Sequence, residues 1–149
     1  IDFNLINNGL KIFSQGYDIV CLGRIPSFPH GMDFEIFSAD ALNKAWENIR
    51  SKFEDVEKFY NTFICPTDYI INSSDFKKYD MISNVDMSKI RLTLDYQEDF
   101  ELISKIFDIL YIKNQYFTLE DIIELLKKNP SLMSINKKYA DIRFNSSMK

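Results

Sequence analysis

Ile90 to Tyr111 reads IRLTLDYQEDFELISKIFDILY, and the fold class turns on how this run divides. Ile90, Leu92 and Leu94 alternate with Arg91 and Thr93, which predicts a short strand with one apolar face. Asp95 closes the strand. Phe100, Ile103, Phe107 and Leu110 then recur at helical spacing, the stripe of a helix lying on a sheet. In open α/β sheets ligands gather outside the carboxyl ends of strands, so an acid at this junction is a candidate functional group. A second reading stands beside it. Asp95 followed three residues later by Glu98 has the spacing of a capping box, and one carboxylate can serve as both cap and metal ligand. Magnesium takes one or two protein carboxylates and keeps waters and substrate phosphates, so a single visible Asp can be half of such a site.

Working outward, Asp2 caps a predicted helix carrying Phe3, Leu5, Ile6, Leu10, Ile12 and Phe13 that stops near Gly16. Tyr17 to Leu22 is almost continuously apolar, as a strand covered on both faces should be. Pro26 and Pro29 make Arg24 to Gly31 a loop. Met32 to Phe37 alternates, which puts Asp33 and Glu35 on one strand face. Ser38 caps a helix with Asp40 in its first turn. Phe53 to Phe63 reads as an aromatic-rich helix stopped by Pro66, and Tyr69 to Asn72 and Met81 to Val85 read as short strands. Thr118 caps a helix running through Leu119 to Asn129 with acids early and lysines late, and Pro130 ends it. Beyond Asn136 the apolar content falls and the tail is expected to fray. Alternating strands and helices predict one α/β domain over 1–149.

Composition narrows the function classes. The 149 residues are 46% hydrophobic and carry a net charge of -4. That balance supplies no broad basic face for nucleic acid, and no apolar run is long enough for a bilayer. A cytoplasmic protein without nucleic-acid or membrane partners is the expectation. Cys21 and Cys65 lack the spacing of a metal or redox motif and read as reduced packing residues. There is no P-loop and no GxGxxG. Asp33 and Glu35 can hold sugar hydroxyls or a metal, or simply form the wet face of an edge strand. His30, the single histidine, is either an exposed turn residue or a general base.

Two longer stretches carry a resemblance. PHGMDFEIFSADALNKAW (Pro29 to Trp46) and RLTLDYQEDFELI (Arg91 to Ile103), followed by F-x-L-E-D-I at Phe117 to Ile122 and P-x-L-x-x-I-N at Pro130 to Asn136, together resemble the cytidylyltransferase family. The nearest pattern is its spore-coat-polysaccharide branch, related to the acylneuraminate and 3-deoxy-manno-octulosonate cytidylyltransferases. The resemblance implies an incomplete Rossmann-like nucleotide-diphospho-sugar transferase fold, the carboxy-terminal half of an enzyme whose nucleotide-binding strands and G-D-x-P motif precede Ile1. It implies CTP and a sugar or sugar acid as substrates, pyrophosphate as product and Mg²⁺ as cofactor. Asp95 falls on the family's second magnesium-binding aspartate, and Asp33, Glu35, His30 and Arg91 line the acceptor side, Arg91 being suited to an anionic group. Two departures stand out: Tyr96 replaces the family's Thr, and Glu57 to Thr62 lacks the family's His. The 149 residues alone are expected to be inactive. The competing reading is a non-catalytic assembly or binding module, its sheet edge satisfied in a homodimer.

Overall fold

The computed structural model describes residues 2–52 and 67–142. Its centre is β1 (Ile19–Leu22), whose four residues are all buried, as the apolar run predicts. β2 (Phe34–Phe37) pairs with it antiparallel, Leu22 opposite Phe34 and Ile19 opposite Phe37. β3 (Lys78–Met81) pairs parallel on the other side, Ile19 opposite Lys78 and Leu22 opposite Met81. The sheet order is therefore β2-β1-β3, a mixed α/β arrangement.

Helices cover both faces because each face of β1 is apolar. Ile19 and Cys21 pack with Ala41, Ala45 and Ile49 of α2 (Ala39–Lys52) and with Tyr69 and Ile70 of α3 (Asp68–Asn72). Val20 and Leu22 face Leu102 and Ile106 of α4 (Gln97–Leu110), Leu125 and Leu126 of α5 (Leu119–Lys128), and the inner side of α1 (Phe3–Phe13). The caps are those read from the sequence. Asp2 Oδ1 accepts the Asn4 N–H at 2.7 Å, Ser38 Oγ the Ala41 N–H at 2.9 Å, and Thr118 and Asp121 form a reciprocal box. The second oxygen of buried Asp2 accepts the Leu119 N–H at 2.6 Å and so ties the starts of α1 and α5 together.

Several expectations are corrected. Residues 90–94 are not a strand: they make one parallel bridge, with the His30 N–H donating to the Ile90 carbonyl at 2.9 Å and the Leu92 N–H to the His30 carbonyl at 2.7 Å. Arg91 and Leu92 are buried and Leu94 is 65% exposed, so the alternation fails where a charged side chain goes inside. α4 is rotated relative to the expected stripe: Asp99, Leu102 and Ile106 are buried while Phe100 and Phe107 are exposed. Tyr69 to Asn72 lies in helix α3, not a strand; the Lys78 ammonium donates to the Ile71 and Ser73 carbonyls at its end. The strand expected at Met81 to Val85 forms earlier, as β3. The helix expected at Phe53 to Phe63, and Cys65, lie outside the described residues. Cys21 is a buried free thiol, as expected.

The crossing of the two segments at His30 and Arg91 depends on Gly31. Its φ is +101°, and a Cβ there would stand 2.5 Å from the Leu92 carbonyl oxygen. Only glycine meets both conditions without strain.

Candidate functional site

Arg91 is the hub. Its side chain is 1% exposed, and each of its five N–H donors is used. Nε donates to Asp99 Oδ1 at 3.1 Å, and Nη2 donates to Asp99 Oδ2 at 3.0 Å and to Asp95 Oδ2 at 2.7 Å. Nη1 donates to the Ile142 carbonyl at 2.9 Å and lies 3.2 Å from His30 Nδ1. A guanidinium cannot accept, so His30 Nδ1 is the acceptor, and a neutral ring carries its proton on Nε2. Arg91 was expected to meet an anionic substrate group. The structure spends it inside the protein, where it holds two carboxylates and a histidine in place.

Asp99 is the counter-charge, 0% exposed. Besides Arg91 it accepts from Thr93 Oγ1 at 3.0 Å, from Asn136 Nδ2 at 2.8 Å, and from the Asp95 and Tyr96 N–H groups, each at 3.2 Å. Burial by itself would raise its pKa; the Arg91 hydrogen bonds, with those of Asn136, Asp95 N–H and Thr93, outweigh it and hold the carboxyl well below the usual carboxylate range. For Arg91 burial acts first, disfavouring its charge, and the two aspartates overcome it and raise its pKa.

The acid that caps α4 is therefore Asp99 acting on the Tyr96 N–H, one residue along from the expected Asp95–Glu98 box. Asp95 is left outside the helix with a 63% exposed side chain. It does not close a strand; it follows the single bridge at Arg91, and its position is set by Arg91 and Asp99. The three charges sum to one negative.

The segment beyond Asn136 does not fray within the described residues. Asn136 is buried and also donates to the Arg91 carbonyl at 3.0 Å. The Tyr139 ring stacks on Tyr96 with centroids 3.9 Å apart, and Lys138 pairs with Glu98 at 2.5 Å. The Ile142 carbonyl takes the Arg91 proton already described. Sequence reasoning missed Asp99, Thr93 and Asn136 as members of this cluster; the only signals were their places in the RLTLDYQEDFELI and P-x-L-x-x-I-N stretches.

The remaining candidates divide. His30 belongs to the Arg91 group and is half-buried, which rules out the exposed-turn reading. Asp33 connects through Gly31, whose N–H donates to its Oδ2 at 3.2 Å. Its carboxylate also packs over Gly23, where φ is +113° and a Cβ would lie 2.0 Å from Oδ1. Glu35 stands elsewhere, opposite Cys21 in the sheet, with Asp80 opposite Cys21 on the other side. Burial first, then Glu35 and Asp80, push the Cys21 thiol up to about 12, so it is an inert packing group. Arg24 donates to Asp80 through Nε at 2.6 Å and through Nη2. Asp33 and Glu35 are both exposed, as the alternation predicts.

Among the described residues no group of three or more His, Cys, Asp or Glu could hold a metal ion. Asp95 still fits magnesium chemistry as one carboxylate of a site completed by waters and phosphates, because it is exposed and in a locally negative cluster. Asp99 does not fit, since its oxygens are saturated by buried donors. Among the described residues no helix is long and apolar enough to cross a membrane.

No protein-family model matches the chain. An alignment of 112 positions, covering 71% of this chain, is 32% identical to an uncharacterized protein of Methanocaldococcus jannaschii, MJ1063, and covers 41% of that protein. The structure is similar to that of a cytidylyltransferase from Leptospira borgpetersenii, with a TM-score of 0.69 and 28% identity over 89% of this chain and 53% of that one. The chain thus spans about half the length, or less, of the proteins it matches. Over most of its length this chain therefore shares the fold of that cytidylyltransferase.

Proposed function

We propose that the chain is the carboxy-terminal part of a Rossmann-like, magnesium-dependent cytidylyltransferase of the spore-coat-polysaccharide type. In this reading it transfers CMP from CTP to a sugar or sugar acid for surface polysaccharide. The observation that carries it is the likeness to a solved cytidylyltransferase over 89% of the chain. A sugar oxygen attacks the α-phosphorus, the bond to the bridging oxygen breaks, pyrophosphate leaves and the hydroxyl proton is released. Magnesium, when bound, neutralises the triphosphate.

Within this chain Asp95 is the metal-holding carboxylate. Arg91 acts through it as a positioning residue, fixing one carboxylate oxygen and leaving the group exposed. His30 and Asp33 lie along the same crossing and line the acceptor side; Glu35, farther along the strand, meets sugar hydroxyls. The nucleotide-binding strands come from the rest of the protein. In a full-length parent, Asp95→Ala should abolish CTP-dependent pyrophosphate release with an unchanged far-UV circular dichroism spectrum. Retained magnesium-dependent turnover would remove Asp95 from the metal role. The 149 residues alone should release no pyrophosphate.

One observation favours the assembly-module reading. Phe100, Phe107, Tyr111, Ile112 and Tyr116 are exposed on α4 and the turn after it, with Ile112 at 84%, and exposed apolar patches mark interaction sites. A dimer in light scattering, indifferent to CTP and magnesium, would support that reading.

A further inference from the structure

The ring of Tyr96, the residue after Asp95, links two parts of the chain. It stacks on the ring of Tyr139, with centroids 3.9 Å apart and planes 8° from parallel. It also meets the guanidinium of Arg91, whose Cζ lies 5.5 Å from the Tyr96 centroid, within cation–π range. The same guanidinium donates to Asp95 Oδ2 at 2.7 Å. Contacts therefore run without a break from Tyr139 through Tyr96 and Arg91 to the Asp95 carboxylate. Tyr96 stands where the resembled pattern has threonine, so the stack is no part of that pattern.

Asp95 depends on this series more than Asp99 does. Asp99 accepts from Arg91, Thr93, Asn136 and two backbone N–H groups. The Asp95 side chain, 63% exposed, has among the described residues the one hydrogen bond from Arg91 Nη2. A small shift of the guanidinium thus leaves Asp99 held and frees Asp95. Between its anchors at Asn136 and Ile142, the segment that presents Tyr139 is lightly seated. A cavity of about 410 Å³, open to solvent at Ser134 and Lys137, lies between α4, α5 and the turns that follow α5. The Lys89–Asp141 pair is exposed at both ends and holds little. The Tyr96–Tyr139 stack holds more, because each ring covers a face of the other.

We infer that Tyr96 and Tyr139 are a positioning pair for Asp95. The stack backs the Arg91 guanidinium, so that Nη2 fixes one oxygen of Asp95 and leaves the other for a cation. The cation rests on the cytidylyltransferase reading proposed above; the ordering of Asp95 does not. Removing the Tyr139 ring leaves Arg91 on Asp99 and lets the Asp95 side chain move among its staggered rotamers.

The test reads the χ1 rotamer of Asp95 from NMR couplings to its β-protons in the folded chain, and the magnesium dependence of pyrophosphate release in a full-length parent. The wild type should show one rotamer. Tyr139→Ala should show rotamer averaging, and the parent carrying it should need about fivefold more magnesium, with kcat at saturating magnesium unchanged. Tyr139→Phe keeps the ring and loses only the hydroxyl bond to Glu98, so it should behave as wild type. Tyr96→Leu breaks the stack from the other side and should match Tyr139→Ala, the double variant adding nothing. Averaging already present in the wild type, one rotamer retained in Tyr139→Ala and Tyr96→Leu, averaging in Tyr139→Phe, or additive effects in the double variant overturns the pair. So does an active parent whose magnesium requirement is the same with Tyr139→Ala. Averaging in Tyr139→Ala together with a parent that releases no pyrophosphate upholds the pair and removes the cytidylyltransferase reading.

Discussion

Asp99→Ala tests the centre of the structure. The substitution removes a fully buried carboxylate and leaves the guanidinium of Arg91, 1% exposed, with Asp95 as its remaining carboxylate partner. Asp95 is exposed and offers Arg91 one short contact, so it compensates only part of the loss. Breaking a buried pair by removing one partner costs about 3 to 5 kcal/mol. The lower end, about 3, applies here because Asp95 remains, and even that is a large share of a typical stability of about 5 to 15 kcal/mol. With a urea dependence of about 1 to 3 kcal/mol per molar, the midpoint should fall by at least about 1 M in unfolding followed by far-UV circular dichroism. Adding Arg91→Met to Asp99→Ala should recover part of the loss, since the uncompensated charge goes with it. The native carboxyl is depressed below its unfolded value of about 3.9, so its contribution is complete above that pH and is lost as pH falls toward the folded pKa. Wild-type stability should therefore drop steeply below about pH 4 and that of Asp99→Asn less so. A loss under about 1 kcal/mol for Asp99→Ala, or strictly additive losses in the double variant, would refute a buried Arg91–Asp99 pair.

Gly31→Ala should cost about 2 kcal/mol or more, because φ is +101° and the added methyl meets the Leu92 carbonyl at 2.5 Å; equal midpoints for variant and wild type would sink this account of the crossing. For His30, the contact with Arg91 predicts the Nε2–H tautomer of the neutral ring, read from imidazole nitrogen chemical shifts, and Arg91→Met should let the tautomers mix.

How much of this could be read from the sequence depends on how local the cause is. The caps at Asp2, Ser38 and Thr118 were legible because each acts within three residues. β1 was legible because burial on both faces writes an unbroken apolar run, and β2 because one wet face writes an alternation. The Arg91 cluster was not. Periodicity counts a charge as surface, yet Arg91 goes inside because Asp99, eight residues on, neutralises it. The sequence holds two capping-box spacings in adjacent registers, Asp95–Glu98 and Tyr96–Asp99, and local chemistry favours the first. The second forms because the same carboxylate must also meet Arg91, Thr93 and Asn136, the last 37 residues away. The burial of Asp99 then turns α4, bringing Leu102 and Ile106 inward and leaving Phe100 and Phe107 outside.

Asn136 shows how far that dependence reaches. Its amide donates to the Arg91 carbonyl and to Asp99 Oδ1, so Asn136→Ala strips a partner from two acceptors. Leaving buried polar groups unsatisfied costs about 1 to 3 kcal/mol. Because Asn136 also lines the 410 Å³ cavity, water can reach the gap, and the loss should sit near the low end, about 1 kcal/mol. Asn136→Asp is the sharper perturbation. It sets a second carboxylate at hydrogen-bonding distance from Asp99, where two like charges cannot both be comfortable and one must be protonated or displaced. The new group's folded pKa is raised above its unfolded value, so the penalty is greatest at neutral pH and shrinks as pH falls through the folded pKa. Urea unfolding at pH 7 and pH 5 should show Asn136→Asp well below Asn136→Ala at the higher pH and converging on it at the lower. Equal stabilities at both would mean that the amide is not aimed at Asp99, and that the turn following α5 does not hold the Asp95 loop.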